Sequence, residues 1–468
     1  MPNDRRHPWS RLRAVAIVTA TITAASALAT GGIPAQAATP TIVPVALDAC
    51  RNPGNAFVSL EVAPEVTGPV PMAAGYYRLW DMAVAWKDVN PARGVFTWAT
   101  LDQRVAQAEA SGAIPMLVLG LTPQWAAADP SAGDPRWGAG TASPPADMNT
   151  FQSYVDAVVS RYGTRIGAYE VWNEANLPTF WTGTPVQMAN MTQIAYYTIK
   201  AKSPGAIVTA ASVTTRLRGP MKKFVTPYVK ALASAGSPVD ALAIHSYPAG
   251  TAGPAQRALD VQNWQTVVEF AAGPGADILD KQVWDTEVNY GLAGPGSTPG
   301  TDYTDAQGAD LITQTFADSL ELGIDATFWY LYTAAPFDLL GVQLWAGTPA
   351  SLAAWNSARS TYKAGADLCS GVSAPGEITD IEGECKGKGS DCRVVITGTS
   401  TGLAGRSYIY YARVGRGSKA AYTPVGIGLI SSDGSFRYTY RPKSFRDGDP
   451  GYITVGSITS ETVGIERD

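Results

Sequence analysis

Between residues 56 and 332 the chain alternates short apolar runs with longer stretches whose apolar residues recur at helical spacing. The candidate strands are 56–62, 76–80, 114–119, 167–172, 206–212, 239–245, 282–287 and 326–332, and the helical stretches include 101–110, 150–161, 186–202 and 306–322. Eight strands alternating with helices over roughly 300 residues predict an α/β fold, a closed (β/α)8 TIM barrel. An open doubly wound sheet is the rival. It would want a glycine-rich phosphate turn after its first strand, and none is present.

After Cys369 the pattern changes. Residues 370–376, SGVSAPG, read as a linker of turn formers. Short alternating runs follow at 393–397, 407–414, 425–430, 436–440, 452–458 and 462–465, and Ser432-Asp433-Gly434 reads as a hairpin turn. About six strands in roughly 90 residues suggest a small β-sandwich. The expected organisation is a signal over 1–37, a barrel over 38–370, a linker over 371–380 and a β-sandwich over 381–468.

The signal is read from Arg5, Arg6, Arg11 and Arg13 ahead of an apolar run at 14–29, closed by Ala35-Gln36-Ala37. The run is short for a membrane span and holds several threonines. The mature chain is therefore expected to be secreted, extracellular and free of the membrane, with cleavage after Ala37. Cleavage removes four arginines and one aspartate from a chain of net charge −5, leaving it more acidic still. An acidic chain with no basic run is a poor nucleic-acid binder. A monomer is expected.

Two counts narrow the chemistry. Of two histidines, His7 leaves with the signal, so the mature chain keeps His245 alone and cannot build a two-histidine metal site. General acid–base work must rest on carboxylates, and the reading expects no metal or organic cofactor. The four cysteines, Cys50, Cys369, Cys385 and Cys392, suit disulfides in an exported protein, pairing 50 with 369 and 385 with 392. Four buried thiols are the alternative.

In a (β/α)8 barrel the chemistry sits at the C-terminal ends of the strands. Those ends carry Arg78 and Trp80, then Trp125, Asn173 and Glu174, then His245 and Tyr247, then Glu287, and finally Trp329 and Tyr332. Two glutamates facing an aromatic cleft are what cleavage of an acetal needs, one to protonate the leaving oxygen and one to meet the cationic carbon.

The segments YEVWNEAN at 169–176 and WDTE at 284–287 are together similar to the barrel glycoside hydrolases of clan A, closest to families 39 and 5. RLW at 78–80, TPQW at 122–125 and HSYP at 245–248 add to the resemblance, which spans roughly residues 50–368. It implies a retaining hydrolase of β-linked cell-wall polysaccharide or oligosaccharide. Glu174 would be the acid/base, its pKa raised, and Glu287 the nucleophile. It further implies that Asn173 bonds the sugar 2-hydroxyl, that Arg78 and Tyr247 hold Glu287, and that Trp329 floors the reacting sugar. Ala175 stands where many relatives have proline, and family 5 usually brings more histidines than His245.

Other readings stay open. An exo-acting β-xylosidase-like enzyme or a transglycosylase would use the same two glutamates, and a binding barrel without turnover would keep the cleft. Arg78 and His245 have purely structural readings, and Trp125, Trp181 and Trp345 are either sugar platforms or packing. Glu170 shares the inward parity of Glu174 but lies deeper, as a structural ion pair. Residues 398–402, GTSTG, match a nucleophile elbow, but no histidine follows His245, so a turn between strands is expected. Tyr408, Tyr410, Tyr438 and Tyr440 form either a glycan-binding face or the core of the tail.

Overall fold

The computed structural model describes residues 54–292, 301–334, 342–363, 376–386, 392–414, 421–442, 449–456 and 458–467. Residues 1–37, Cys50 and Cys369 lie outside the described residues. No helix among the described residues is long and apolar enough to cross a membrane.

All eight expected barrel strands form. They are β1 Val58–Val62, β2 Tyr76–Leu79, β3 Ile114–Val118, β4 Ala168–Glu170, β5 in two pieces (Ile207–Thr209 and Val213–Thr214), β6 Ala241–His245, β7 Gln282–Val288 and β8 Ala326–Tyr332. Neighbours pair in parallel all the way round: β1 closes on β8 through Leu60↔Trp329, and β5 closes on β6 through Thr209↔Ala241. Strands buried on both faces need apolar residues at nearly every position, which is why they read as continuous runs. The helices α1 Ala99–Ala110, α2 Met148–Tyr162, α3 Pro185–Lys202, α4 Arg218–Ser234, α5 Pro254–Ala272, α6 Asp305–Glu321 and α7 Pro349–Lys363 surround them. Thr184 and Thr304 begin α3 and α6 with reciprocal capping boxes to Gln187 and Gln307.

Strand parity splits the inward side chains into two layers. Tyr76, Met116, Ala168, Ala241, Trp284, Ala326 and Phe328 pack as an apolar plug. Two residues further along their strands come Arg78, Glu170 and other polar side chains. The outward residues, among them Leu60, Val288 and Trp329, pack under the helices.

The tail is all-β. Its strands are β9 Glu377–Lys386, β10 Arg393–Thr401, β11 Ser407–Val414, β12 Ala421–Leu429, β13 Phe436–Tyr440, β14 Asp449–Val455, β15 Ile458–Thr459 and β16 Val463–Arg467. Along the sheet they run β12-β11-β14-β16-β9-β10-β13. The two halves fold over a shared core that includes Val394, Ile396, Tyr408, Tyr410, Phe436 and Ile453.

Three expectations for the tail are corrected. First, β9 starts inside the expected linker 371–380. A register shift between Thr379 and Glu382, with Asp380 at φ +49°, breaks the two-residue period and hid the strand. Second, the turn at Ser432–Gly434 forms, but its flanking strands do not make a hairpin. Strand β12 pairs with β11, and β13 pairs with β10. Third, residues 398–401 continue β10, and the chain turns afterwards at Gly402, at φ +69°. Cys385 and Cys392 are disulfide-bonded, joining β9 to the start of β10.

Candidate active site

Arg78 on β2 is fully buried and is the hub of the upper layer. Its Nη1 donates to Glu61 Oε2 at 2.8 Å and to Glu287 Oε1 at 2.5 Å. Its Nη2 donates to Glu170 Oε1 and to Asn173 Oδ1, both at 2.7 Å, and Nε reaches Glu170 Oε2 at 3.3 Å. One guanidinium thus gathers three carboxylates from three strands. Burial carries Glu61 well above the usual carboxylate range despite the guanidinium beside it, and the charge of Glu287 adds to the rise. Glu61 Oε1 has no hydrogen-bond partner among the described residues.

Glu287 owes its direction to a bulge. Strands β6 and β7 pair Ile244 with Asp285 and then His245 with Glu287, so β7 has one residue extra. Strict alternation would send Glu287 outward with Asp285, which pairs with Arg257 at 2.8 Å and bonds Ser246 on the outer side. The bulge turns Glu287 into the barrel, a re-aiming common next to active sites. There Tyr247 donates its hydroxyl to Oε2 at 2.8 Å. Burial and the charge of Glu287 hold the Tyr247 phenol well above its usual pKa, so it remains a neutral donor.

Glu174 follows β4 on a left-handed backbone, φ +42°. That conformation costs a non-glycine residue about 1–3 kcal/mol. It is held by Ser212, whose Oγ accepts from Glu174 N at 3.0 Å and whose carbonyl accepts from Ala175 N at 2.9 Å.

His245, on β6, stands between the two glutamates. Its Nδ1 lies 3.2 Å from Glu174 Oε1 and 3.5 Å from Glu287 Oε2. Those two oxygens can therefore be no further apart than the two distances laid end to end. The expected rise in the Glu174 pKa is corrected here. Burial pushes it up, but the hydrogen bond and charge of His245, with Arg216 and Arg78 beyond, bring it below the ordinary carboxylate value. Burial works against the protonated imidazole, yet the charge of Glu287 and the bond to Glu174 lift His245 above its usual pKa. The pair keeps a proton, drawn toward the imidazole.

One tryptophan does not meet the expectation for it. Trp329 lies on the outer side of β8, fully buried among Leu60, Val288 and Tyr290, with its Nε1 donating to Val342 O at 3.2 Å. Strand alternation brings the next residue inward instead. Tyr330 meets Tyr247 edge-on at 6.1 Å, and Asp81, Glu61 and Glu287 add to the effect of burial in raising its pKa. Trp125 donates its Nε1–H to Asn90 O at 2.9 Å and carries the Arg93 guanidinium over its ring, packing against the outer core. Trp181 likewise packs edge-on against Trp172.

The aromatic wall beside the carboxylates comes from loops. Trp80, 5.8 Å from the Arg78 guanidinium, meets Trp137 at 5.5 Å and Phe180 at 6.1 Å. The buried Nε1 of Trp137 has no partner among the described residues. Asp81, one residue past Trp80, is raised to about 7, chiefly by burial and next by Glu287. Glu61, Asp81, Trp137, Phe180 and Tyr330 escaped the sequence reading; for Tyr330 the parity of β8 was a usable signal.

No family model matches the chain, and no curated protein matches it significantly. Among solved structures it is similar to a family 39 glycoside hydrolase from the gut symbiont Bacteroides cellulosilyticus WH2, at 16% identity and a TM-score of 0.46, over 86% of this chain and 83% of that one. It is also similar to the GH39 enzyme from Xanthomonas axonopodis pv. citri, at 16% identity and a TM-score of 0.48, over 88% and 97% of the two chains. A GH10 protein from Paenibacillus barcinonensis follows, at 13% identity and a TM-score of 0.48, over 66% and 96%.

Proposed function

We propose that the chain is a retaining glycoside hydrolase acting on β-linked cell-wall polysaccharide or its fragments, exported by the signal-like segment at 1–37. The observation that carries this reading is the convergence of Arg78, Tyr247 and His245 on Glu287, with Glu174 on the same imidazole nitrogen. Arg78 and Tyr247 donate to its two oxygens and fix the carboxylate in one orientation, as a nucleophile requires. The bound that His245 sets on the span between the glutamates, 3.2 and 3.5 Å laid end to end, admits the ~5–5.5 Å separation of retaining enzymes.

In the first step a Glu287 oxygen bonds the anomeric carbon as the glycosidic C–O bond breaks. Glu174 gives the departing oxygen the proton it holds in common with His245. In the second, water attacks the same carbon, the ester to Glu287 breaks, and the water's proton returns to Glu174. Asn173 gives its carbonyl to Arg78, which leaves its amide N–H groups to meet the sugar 2-hydroxyl. Trp80, Trp137 and Phe180 offer apolar faces to the ring.

The test is sugar release from β-glucans, xylans, mannans and aryl β-glycosides by the wild type, Glu174→Ala and Glu287→Ala. Both variants should fall by on the order of 10⁴-fold, with azide restoring turnover through the vacated position. Turnover that survives both substitutions would overturn the mechanism.

A further inference from the structure

Strand β5 is interrupted halfway. Its first piece, Ile207–Thr209, pairs along β4, and its second, Val213–Thr214, pairs along β6, with Val213 beside Ile244 and Thr214 beside His245. Between the pieces Ala211 N donates to the hydroxyl of Tyr228, on α4, at 3.0 Å.

The chain beyond β4 follows the second piece. Ser212 N donates to Trp172 O at 2.8 Å, and Ala175 N donates back to Ser212 O at 2.9 Å. Two side chains extend this contact past the ladder. Ser212 Oγ accepts from Glu174 N at 3.0 Å. Asn176 takes both backbone groups of Thr214: its Oδ1 accepts from Thr214 N at 3.0 Å, and its Nδ2 donates to Thr214 O at 3.1 Å. On the far side Thr215 N donates to His245 O at 3.1 Å. Residues 212–215 are thus a strut, with Glu174 hung from one side and His245 from the other.

Ser212, Thr214, Thr215 and His245 are fully buried, and Asn176 is buried as well. Buried polar groups whose bonds are all made inside the protein have no water to exchange with, so such a network is rigid. Rigidity is what Glu174 requires. Its left-handed backbone, at φ +42°, persists only where the surroundings over-determine it. The strut bonds three successive positions, the amides of Glu174 and Ala175 and the side chain of Asn176. The two asparagines that flank Glu174 therefore divide the work: Asn173 bonds Arg78 inside the barrel, and Asn176 bonds the strut.

We infer that Ser212 and Asn176 are positioning residues for the acid/base, fixing Glu174 to the same strut that carries His245 and so keeping the 3.2 Å contact through which the two share a proton. This rests on the reading of Glu174 as the acid/base.

The experiment compares kcat/KM on phenyl and dinitrophenyl β-xylobiosides, and on the same pair of β-cellobiosides. It uses full chains of wild type, Ser212→Ala, Asn176→Ala, Glu174→Ala and Trp284→Ala, each below its unfolding temperature. Phenolate departs readily only with a proton, whereas dinitrophenolate departs without one, so the ratio of the two rates reads the placement of the acid. That ratio should move toward the dinitrophenyl substrate by about tenfold or more in Ser212→Ala and in Asn176→Ala, in the same direction as in Glu174→Ala. Trp284→Ala loosens the apolar plug below and should leave the ratio unchanged. A second readout needs no turnover. With His7→Gln in the background His245 is the only histidine, and its Nδ1 resonance should move in Ser212→Ala and Asn176→Ala toward its position in Glu174→Ala. Either variant suffices if the other does not fold. A ratio or a resonance that shifts in Glu174→Ala but not in Ser212→Ala and Asn176→Ala overturns the inference and leaves the catalytic reading standing. So does an equal shift of the ratio in Trp284→Ala, which would trace the effect to lost stability. A ratio unmoved in Glu174→Ala overturns both.

Discussion

The barrel interior holds two layers, built on the same strands two residues apart, and they follow opposite rules. In the lower one, Trp284 sits against Tyr76 and Phe328 at 5.2 and 5.9 Å, and seven side chains fill the space without an ionisable charge. In the upper one, a single guanidinium serves Glu61, Glu170 and Glu287, and His245 serves Glu174. The lower layer is closed to bulk water and the upper one opens only at the edges of Glu174 and Glu287, so the upper charges are costly unless each has its partner. The plug supplies apolar burial, and the ionic layer above uses some of that stability to hold polar groups in one geometry.

Substitutions in the two layers should therefore fail differently. Arg78→Met leaves three carboxyls without a counter-charge and is expected to lose about 3–5 kcal/mol of stability. Turnover below the melting point should fall on the order of 10²-fold or more, because Glu287 loses its shortest hydrogen bond. Trp284→Ala should lose a similar ~3–5 kcal/mol through the cavity it opens. Its turnover at low temperature should stay within several-fold of wild type. Thermal unfolding and kcat/KM, measured together, check both; an Arg78→Met protein with full turnover would mean the upper layer is structural only.

The same contrast governs how much was legible in the sequence. Continuous apolar runs marked all eight strands, and Glu174, Glu287, Arg78, His245 and Tyr247 stood where barrel geometry puts chemistry. Regular alternation is readable because it repeats. What broke alternation was hidden: the bulge that aims Glu287 leaves no residue signature in WDTE, and the one at Asp380 concealed a whole strand. Trp329 was misplaced for a related reason. A strand end was read by residue type, tryptophan being an apt sugar floor, when parity gives the inward position to Tyr330. Trp137 and Phe180 lie on loops whose path no local pattern dictates. Asp81 and Glu61 matter only through groups distant in sequence.

His245 sharpens the comparison within the upper layer. Its proton is shared with Glu174, and the pair should titrate together, with apparent values belonging to both groups. Since His245 is raised above its usual value, the pair releases that proton above the ordinary histidine range, and the alkaline limb of kcat/KM reports the loss. His245→Gln removes the tighter proton holder, so the limb should move to lower pH. A pH profile of that variant on an aryl glycoside checks it, and an unmoved limb would place the proton wholly on Glu174.

The smallest expected effect lies at the edge of the ionic layer. Asp81, unlike Glu61, is partly exposed, and burial and Glu287, opposed by Arg78, with Glu65 and Arg104 further off, raise its carboxyl to about 7. A carboxyl raised in the folded state binds its proton more tightly there than in the unfolded chain, whose value is near 3.8. Between those two values the folded chain carries the extra proton, so stability declines as pH rises through that window. Asp81→Asn removes the penalty. It should leave unfolding unchanged at pH 4 and stabilise the fold at pH 8 by about 1 kcal/mol, or ~2–4 °C, after allowance for the open side of the carboxyl. Unfolding curves at the two pH values settle it. Equal stabilisation at both would mean that the gain comes from hydrogen bonding by the amide rather than from charge, and the ionic layer would then end at Trp80.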